Sequence, residues 1–270
     1  MRERPSPCVL RAFGAEHAAL RRVTGGQGAT FRAGDIAIKR CDEPEESEWL
    51  GRILTEIKED GFRVARPMRS PNGRFVVDGW CAHRWVSGSP RLRGRWGEAV
   101  AALRAFHRAL REVRRPRLFD RRTNMFAVAD RIAWDEEPLK RAGNLGTDGA
   151  RLLRCLRPVR ARSQLIQGDP SEGNFLFDGD LPPAVIDVAP YWRPADYSVA
   201  VFVADGVAWS KAPRELLACV RRVPEIDQLL ARAVLFRLIV GKLFRRGDAV
   251  PRRSAAYAPV IDAVVEWSGR

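Results

Sequence analysis

The sequence is poor in lysine, histidine and cysteine, and it has no long apolar segment. Its five lysines stand against 42 arginines, and its three histidines have none of the short spacings typical of zinc sites. The five cysteines are odd in number and scattered, so they predict neither a zinc site nor a disulfide framework. No apolar run reaches the roughly 18 residues of a membrane span, and no signal-peptide pattern follows Met1. These absences favour a cytoplasmic protein.

A polar segment between short apolar strands carries the strongest chemical signal. It reads Gln167-Gly168-Asp169-Pro170-Ser171-Glu172-Gly173-Asn174, and Val185-Ile186-Asp187 follows 13 residues after its asparagine. Asp169 is placed to accept a proton from a hydroxyl, while Asn174 and Asp187 offer oxygen ligands for Mg²⁺. The pattern is typical of phosphoryl transfer. The same residue types also dominate ordinary turns, so the loop alone does not decide between the two interpretations.

A glycine-rich segment near the N-terminus is the second signal. Gly25-Gly26-Gln27-Gly28 lies between two strand-like stretches, and the alternating strand after it, Ile36-Ala37-Ile38, leads to Lys39. Glycines let a hairpin backbone approach phosphates closely, and a lysine at the end of the next strand could reach them. The segment lacks the third glycine of a dinucleotide-binding motif and the Lys-Ser/Thr of a P-loop. Because lysine is rare in this chain, Lys39 favours a functional interpretation.

An acidic stretch after Lys39 has the spacing of an amphipathic helix. Its apolar residues within positions 45–57 are Trp49, Leu50, Ile53, Leu54 and Ile57. Glu48 lies beside the first apolar pair, and we expect it to orient Lys39 through an ion pair, with Glu56 as the alternative. The glycine hairpin, strand lysine, helix glutamate, Asp…Asn loop and following aspartate thus occur in the order used by the protein-kinase-like fold.

These motifs resemble those of the aminoglycoside phosphotransferase family of small-molecule kinases. The family's His-Gly-Asp-x-x-x-x-Asn loop is matched by residues 167–174, its metal motif by residues 185–188, and its Leu-His helix end by residues 105–110. Residues 25–28 together with 187–194 resemble an actinobacterial branch of it. The resemblance spans about residues 20–210. It implies an α+β, bilobal fold and a kinase that uses ATP and Mg²⁺. It implies that Asp169 is the catalytic base, that Asn174 and Asp187 hold the metal, and that residues 25–28, Lys39 and Glu48 serve the nucleotide.

Two residues of the loop depart from the family pattern. Gln167 replaces the histidine that mainly braces the loop in the family. Pro170 follows the predicted base directly and biases Asp169 toward extended backbone geometry. Both departures concern the geometry of the loop more than the proton transfer itself.

The length and apolar patterning predict two lobes. We place a β-rich nucleotide-binding lobe at residues 1–86 and a mainly helical catalytic and substrate-binding lobe at 87–270, joined by a hinge at 87–90. Adenine would lie under the strand at residues 80–85. Two apolar helix faces are predicted in the second lobe. The first consists of Val100, Leu103, Phe106 and Leu110, and the second of Leu230, Val234, Leu238 and, near the same stripe, Phe244.

The net charge of +14 bears on the partners of the protein. Arginine clusters could bind nucleic acid or another polyanion, but aromatic residues do not interleave with them and no basic tail is present. Specific nucleic-acid binding is therefore not expected. A strongly basic protein would also repel a polycationic aminoglycoside.

The sequence thus predicts an ATP- and Mg²⁺-dependent phosphotransferase acting on a hydroxyl of a small neutral or anionic metabolite. Two alternatives remain open: a nucleotide-binding regulator without transfer activity, and a polyanion-binding module.

Overall fold

A computed structural model describes residues 4–23, 30–244 and 255–269, and their strands form one larger and two smaller sheets. The larger sheet is antiparallel, has five strands in the order β1-β2-β3-β6-β5, and packs against the helix α1 (Pro7–Ala12). The strands before residue 86 are β1 (Leu20–Val23), β2 (Thr30–Ala33), β3 (Ile36–Arg40), β4 (Arg63–Val64), β5 (Val76–Val77) and β6 (Trp80–Arg84). Alternation in β3 buries Ile36 and Ile38 in a small core with Phe31 and Trp80. Lys39 is thereby left on the opposite face.

The predicted acidic helix is confirmed as α2 (Pro44–Glu56). A proline at its start and two glutamates in its first turn suit the N-terminal end of a helix, where backbone N–H groups are unpaired and the dipole is positive. Leu54 and the following Ile57 enter the larger hydrophobic core of the molecule, and Trp49, Leu50 and Ile53 pack against it.

The chain passes between the two cores more than once. Strand β4 lies before the predicted boundary at residue 86, yet it pairs in parallel with β9 (Ala184–Val185), which also pairs with β8 (Phe175–Leu176). At the predicted hinge, the backbone of Ser89 exchanges two hydrogen bonds of 3.0 Å with Phe177. Gly88 has φ +123°, and a Cβ there would lie 2.8 Å from the Phe177 carbonyl oxygen. The hinge therefore requires glycine at this position.

Helices form most of the second lobe, together with a ribbon of two antiparallel strands, β7 (Ser163–Gln167) and β10 (Pro190–Pro194). The helices are α3 (Trp96–Ala109), α4 (Met125–Ala133), α5 (Gly146–Cys155), α6 (Ala195–Trp209), α7 (Glu215–Val220), α8 (Ile226–Phe244) and α9 (Ala258–Ser268). Three 3₁₀ turns occupy Arg117–Arg121, Leu139–Arg141 and Glu172–Asn174. Helices α6 and α8 are buried on most of their surface and pack against each other. They form the centre of the larger core.

Both predicted helix faces exist, with one error. Leu103 and Phe106 of α3 are fully buried, and so are Leu230 and Val234 of α8. Phe244 was assigned to the buried face of α8, but it is 62% exposed. It is the last residue of the helix, and the residues that follow it lie outside the described part of the chain. None of the helices in the described residues is both long and apolar enough to cross a membrane.

Candidate active site

The polar loop of residues 167–174 and Asp187 lie together at the ends of the strands in the two smaller sheets. Strand β7 leads into the loop and is antiparallel to β10, so that Gln167 stands opposite Pro190. Strand β8 leaves the loop and is antiparallel to β9, which ends two residues before Asp187. Asp187 has φ +48°, an uncommon conformation for a residue other than glycine. The strand pairing therefore brings residues 169, 174 and 187 to the same place in the fold.

Gln167 holds the loop to the segment that carries Asp187. Its side chain is completely buried, and its Oε1 accepts hydrogen bonds from the backbone N–H groups of Asp169 (3.2 Å) and Ala189 (2.8 Å). Its Nε2 donates to the carbonyl oxygens of Ile186 (3.2 Å) and Asp187 (3.3 Å). An amide has both donors and acceptors, so Gln167 makes all four bonds without a charge. Glutamine at this position thus braces the loop in place of histidine.

His107 of α3 supports Gln167 from behind. Its Nε2 accepts a hydrogen bond of 3.2 Å from the Gln167 backbone N–H, and the Ser198 hydroxyl donates to the Gln167 carbonyl oxygen. Burial lowers the pKa of His107 to about 3, so the ring is neutral at neutral pH. Its proton then lies on Nδ1, which has no hydrogen-bond partner in the described part of the chain. His107 is therefore a buried, neutral residue that positions the loop.

Close packing against Tyr191 explains why residue 168 is a glycine. A Cβ at this position would lie 1.9 Å from the ring of Tyr191, which is an impossible contact. The Gly168 N–H donates to the Ala189 carbonyl oxygen at 2.7 Å, so the backbone on both sides of Gln167 is tied to the β10 side of the site. After Pro170, the Ser171 N–H donates to the Asp169 carbonyl oxygen at 2.8 Å and closes a tight turn. The proline is therefore accommodated in an ordered loop.

Asn174 and Asp187 present oxygens suited to a hard cation. The Asn174 Nδ2 donates to the Asp169 carbonyl oxygen at 2.8 Å, and the Ile186 N–H donates to the Asn174 carbonyl oxygen at 3.0 Å. The side-chain oxygen of Asn174 makes no hydrogen bond within the described residues. Together with the half-exposed Asp187 carboxylate it gives a donor set of one amide and one carboxylate oxygen, which fits Mg²⁺ when phosphates and water supply the rest.

Lys39 contacts Asp187 directly. Its Nζ lies 2.6 Å from Asp187 Oδ1, with 32% of the lysine side chain and 52% of the aspartate side chain exposed. Burial acts to raise the pKa of Asp187, but the charge and hydrogen bond of the Lys39 ammonium outweigh it, so that pKa lies below its ordinary value. Strand β3 thus places the predicted lysine in contact with the predicted metal ligand Asp187, although the two residues are 148 positions apart in the sequence.

The predicted pairing of Lys39 with Glu48 is absent. Glu48 is buried, and its Oε1 accepts hydrogen bonds from Arg74 Nε at 2.8 Å and from the backbone N–H groups of Phe75 and Val76. It fastens α2 to the start of β5 and to the segment before it. The alternative, Glu56, is exposed and makes no ion pair with Lys39. The spacing of α2 therefore predicted the helix, but not the face that turns toward the lysine.

The predicted base Asp169 has an arginine partner that sequence reasoning missed. Arg237 of α8 donates from Nη2 to Asp169 Oδ1 at 2.7 Å, and the same guanidinium is bound by Asp205 of α6. The Tyr257 hydroxyl donates to Asp205 Oδ1 at 2.6 Å. No local motif marks these residues, and only their polar character within apolar helices could have drawn attention to them. Residues 25–28, predicted to cover the phosphates, lie outside the described residues.

The arrangement and the fold define a class of protein, a bilobal kinase-like phosphotransferase. The sequence profile described as "Phosphotransferase enzyme family" matches residues 10–189, two thirds of the chain. The chain belongs to this family, and it is a kinase in the sense of that family. A search of the curated proteins found no match.

Solved structures of other kinases share the protein-kinase-like fold over nearly the whole chain. A microcompartment-associated aminopropanol kinase aligns with a TM-score of 0.61 at 18% identity, covering 95% of this chain and 94% of the other. A spectinomycin phosphotransferase bound to ADP and spectinomycin gives 0.56 at 16% identity, covering 97% and 95%. A choline/ethanolamine kinase family protein from Mesorhizobium loti gives 0.53 at 18% identity, covering 93% of each chain. These likenesses establish the bilobal α+β fold.

Proposed function

We propose that the protein transfers the γ-phosphoryl group of ATP, with Mg²⁺, to a hydroxyl of a small neutral or anionic metabolite. The observation that carries this proposal is that four residues from separate parts of the chain are linked at one edge of the fold. Lys39 contacts the Asp187 carboxylate, Asn174 donates to the backbone carbonyl of Asp169, and Gln167 ties the loop to the segment that carries Asp187. Phosphoryl transfer is catalysed mainly by positioning and electrostatics, which such bracing provides.

Each residue has a role that its surroundings support. Asp169 would orient the acceptor hydroxyl and accept its proton, since its carboxylate is 43% exposed and can be reached by a ligand. Asn174 and Asp187 would hold Mg²⁺, whose chemistry is to neutralise the charge of the phosphates. Lys39 would contact the phosphates from β3, and Gly25-Gly26-Gln27-Gly28 would cover them. The ADP in the spectinomycin phosphotransferase supports nucleotide use by this fold.

The acceptor class follows from charge. The protein carries a net charge of +14. This charge disfavours a polycationic acceptor, because long-range repulsion slows its approach. Aminopropanol and spectinomycin, named for two of the structural neighbours, show that kinases of this fold are associated with chemically diverse small molecules. We therefore infer an acceptor that bears a hydroxyl without a high positive charge.

The test compares wild type with Asp169→Asn across a panel of hydroxylated metabolites, using labelled ATP and Mg²⁺. A well-placed general base contributes about 10²–10⁴ in rate, so turnover of the true acceptor should fall by that factor. ATP affinity should stay the same, because the substitution preserves size. Asp262→Asn is the matched control, since the Asp262 side chain is 65% exposed and pairs with Arg151, which contacts none of the four site residues.

Two results would replace the proposal. Equal, near-zero transfer by wild type and Asp169→Asn, with normal ATP binding, would favour the nucleotide-binding regulator. Tight binding to one nucleic-acid sequence at physiological salt, with no transfer, would favour the polyanion-binding module, because non-specific phosphate contacts are weakened by salt and read no sequence. Full activity of Asp169→Asn would refute the assignment of the base while leaving the reaction itself intact.

A further inference from the structure

Resting on the proposed function, we propose that Arg237 is a positioning residue that orients the carboxylate of Asp169, and that Asp205, Tyr257 and Trp209 hold it in place. The family match ends at residue 189, so all four of these residues lie beyond it. They come from the α6 and α8 helices and from the turn before α9.

The contact between Arg237 and Asp169 restrains one oxygen of the carboxylate. Arg237 Nη2 donates to Asp169 Oδ1 at 2.7 Å, a distance typical of a charge-assisted hydrogen bond. Within the described residues, Asp169 Oδ2 has no hydrogen-bond partner. Because the Asn174 amide already fixes the backbone carbonyl of Asp169, the arginine removes the remaining freedom of the side chain. One carboxylate oxygen is therefore left to receive the acceptor hydroxyl in a set direction.

Arg237 is itself held from the opposite side. Asp205 accepts from Arg237 Nε at 3.0 Å through Oδ2 and at 3.2 Å through Oδ1, and Oδ2 also contacts Nη2. The Tyr257 hydroxyl donates to Asp205 Oδ1, and it accepts from Trp209 Nε1 at 2.8 Å. The Arg237 and Asp205 side chains are only 20% and 15% exposed. A guanidinium in this forked contact keeps its plane when a ligand arrives, which a flexible surface lysine would not do.

An arginine bound by two carboxylates is not by itself a sign of function, since Arg193 is bound in the same way by Asp130 and Glu136. Arg237 differs from Arg193 because one of its two carboxylates is the predicted base, Asp169. Asp205 alone would pair the buried charge of Arg237, yet the guanidinium also extends to the half-exposed Asp169. Arg237 thus links the packed helices α6 and α8 to the predicted base. A rigid support of this kind holds a catalytic group in the orientation that the reaction needs.

The experiment measures kcat and KM for Arg237→Ala, Arg237→Lys and Tyr257→Phe, with Arg151→Ala as the control. Arg151 also pairs with aspartates of the same lobe, but its partners are Asp148 and Asp262 and not Asp169 or Asp205. A misplaced catalytic group costs about 10²-fold, so Arg237→Ala should lower kcat by that factor while KM for ATP stays within about twofold. Arg237→Lys should recover part of the loss, and Tyr257→Phe should show a smaller one.

The double variant Asp169→Asn/Arg237→Ala decides whether Arg237 acts through Asp169. If it does, the double variant is no slower than Asp169→Asn alone, because residues that act as a unit are not additive. If the rate losses of the two single variants multiply in the double variant, the inference is overturned. It is also overturned if Arg237→Ala turns over as fast as Arg151→Ala. In both cases the proposed function stands.

A readout without any acceptor keeps the two proposals separable. If wild type phosphorylates no acceptor, the proposed function fails, and hydrogen exchange of the amides in residues 168–174 decides the inference alone. Faster exchange in Arg237→Ala and Tyr257→Phe than in Arg151→Ala supports the positioning role, since the loop then samples more open states. Equal exchange in all variants overturns it. Tyr257→Phe keeps both Arg237 and Asp205, so it tests the same point even if Arg237→Ala folds poorly.

Discussion

The two sides of the site differ in how their charges are held. On the predicted metal side, Lys39 and Asp187 form one ion pair that is open to solvent, with 32% and 52% of the side chains exposed. On the side of the predicted base, Asp169 is bound by Arg237, which is largely buried and paired with a second aspartate. Exposed ion pairs contribute little stability, so the first can open when a nucleotide and a cation arrive. The second is preorganised, as expected for a group that must keep its direction during the reaction.

Gln167 joins these two regions. Its Oε1 binds the Asp169 N–H on the base side, and its Nε2 binds the carbonyl oxygen of Asp187 on the metal side. His107 holds the backbone of Gln167 in turn. A variant that affects one region alone can therefore be compared with a variant of Gln167, which should affect both.

The largest effect is expected from a substitution that disrupts only the predicted metal side. Asp187→Ala removes the only carboxylate of the predicted metal site, so the additional thermal stabilisation that Mg²⁺ gives in the presence of ATP should disappear. At a ligand concentration of about 100 Kd, that stabilisation is about 2.7 kcal/mol. Thermal shift with ATP and Mg²⁺, added separately and together, measures it, and Asp262→Ala serves as the control. An undiminished shift in Asp187→Ala would show that the cation is held elsewhere.

The second effect involves both sides at once. Gln167→Ala removes four hydrogen bonds around the loop, and a misplaced base should cost about 10²-fold in turnover. Leaving these buried groups unpaired should also lower the free energy of unfolding by about 1–3 kcal/mol. Gln167→His, which restores the residue of the family motif, should lose less of each. Steady-state kinetics and urea unfolding of both variants test this, and wild-type turnover in Gln167→Ala would show that the loop does not need the brace.

The two sides also differ in how much of each could be predicted from the sequence. Loop chemistry, strand patterning and the order of motifs identified the fold, the loop and the pairing of its residues with Asp187. These features depend on residues close together in the chain. Arg237, Asp205 and Tyr257 were missed because their meeting depends on how two apolar helices pack, which periodicity does not specify. Glu48 was assigned wrongly to Lys39 for the same reason, since helical spacing predicts a helix but not which glutamate faces which strand.

The smallest expected effect concerns the histidine that supports Gln167, and it appears in the pH dependence of stability. Burial lowers the pKa of His107 to about 3 in the folded protein, against about 6.5 in the unfolded chain. The unfolded state therefore binds one more proton between these values. The stability is fully present above about pH 6.5 and falls by about 1.4 kcal/mol per pH unit as the pH drops toward 3. Burial and Lys39 give His83 a similarly low pKa of about 3, so it adds a second contribution.

His107→Gln separates the two histidines, because a glutamine oxygen can accept the hydrogen bond of the Gln167 N–H without titrating. Urea unfolding between pH 6.5 and 5 should show a slope shallower than that of wild type, by up to about 1.4 kcal/mol per pH unit at the lower end of this range. His17→Gln is the matched control, since 95% of the His17 side chain is exposed. A wild-type slope in His107→Gln would mean that His107 is protonated in the fold. It could then not accept the hydrogen bond from Gln167, and the support of the loop would have to come from Ser198 and the surrounding packing alone.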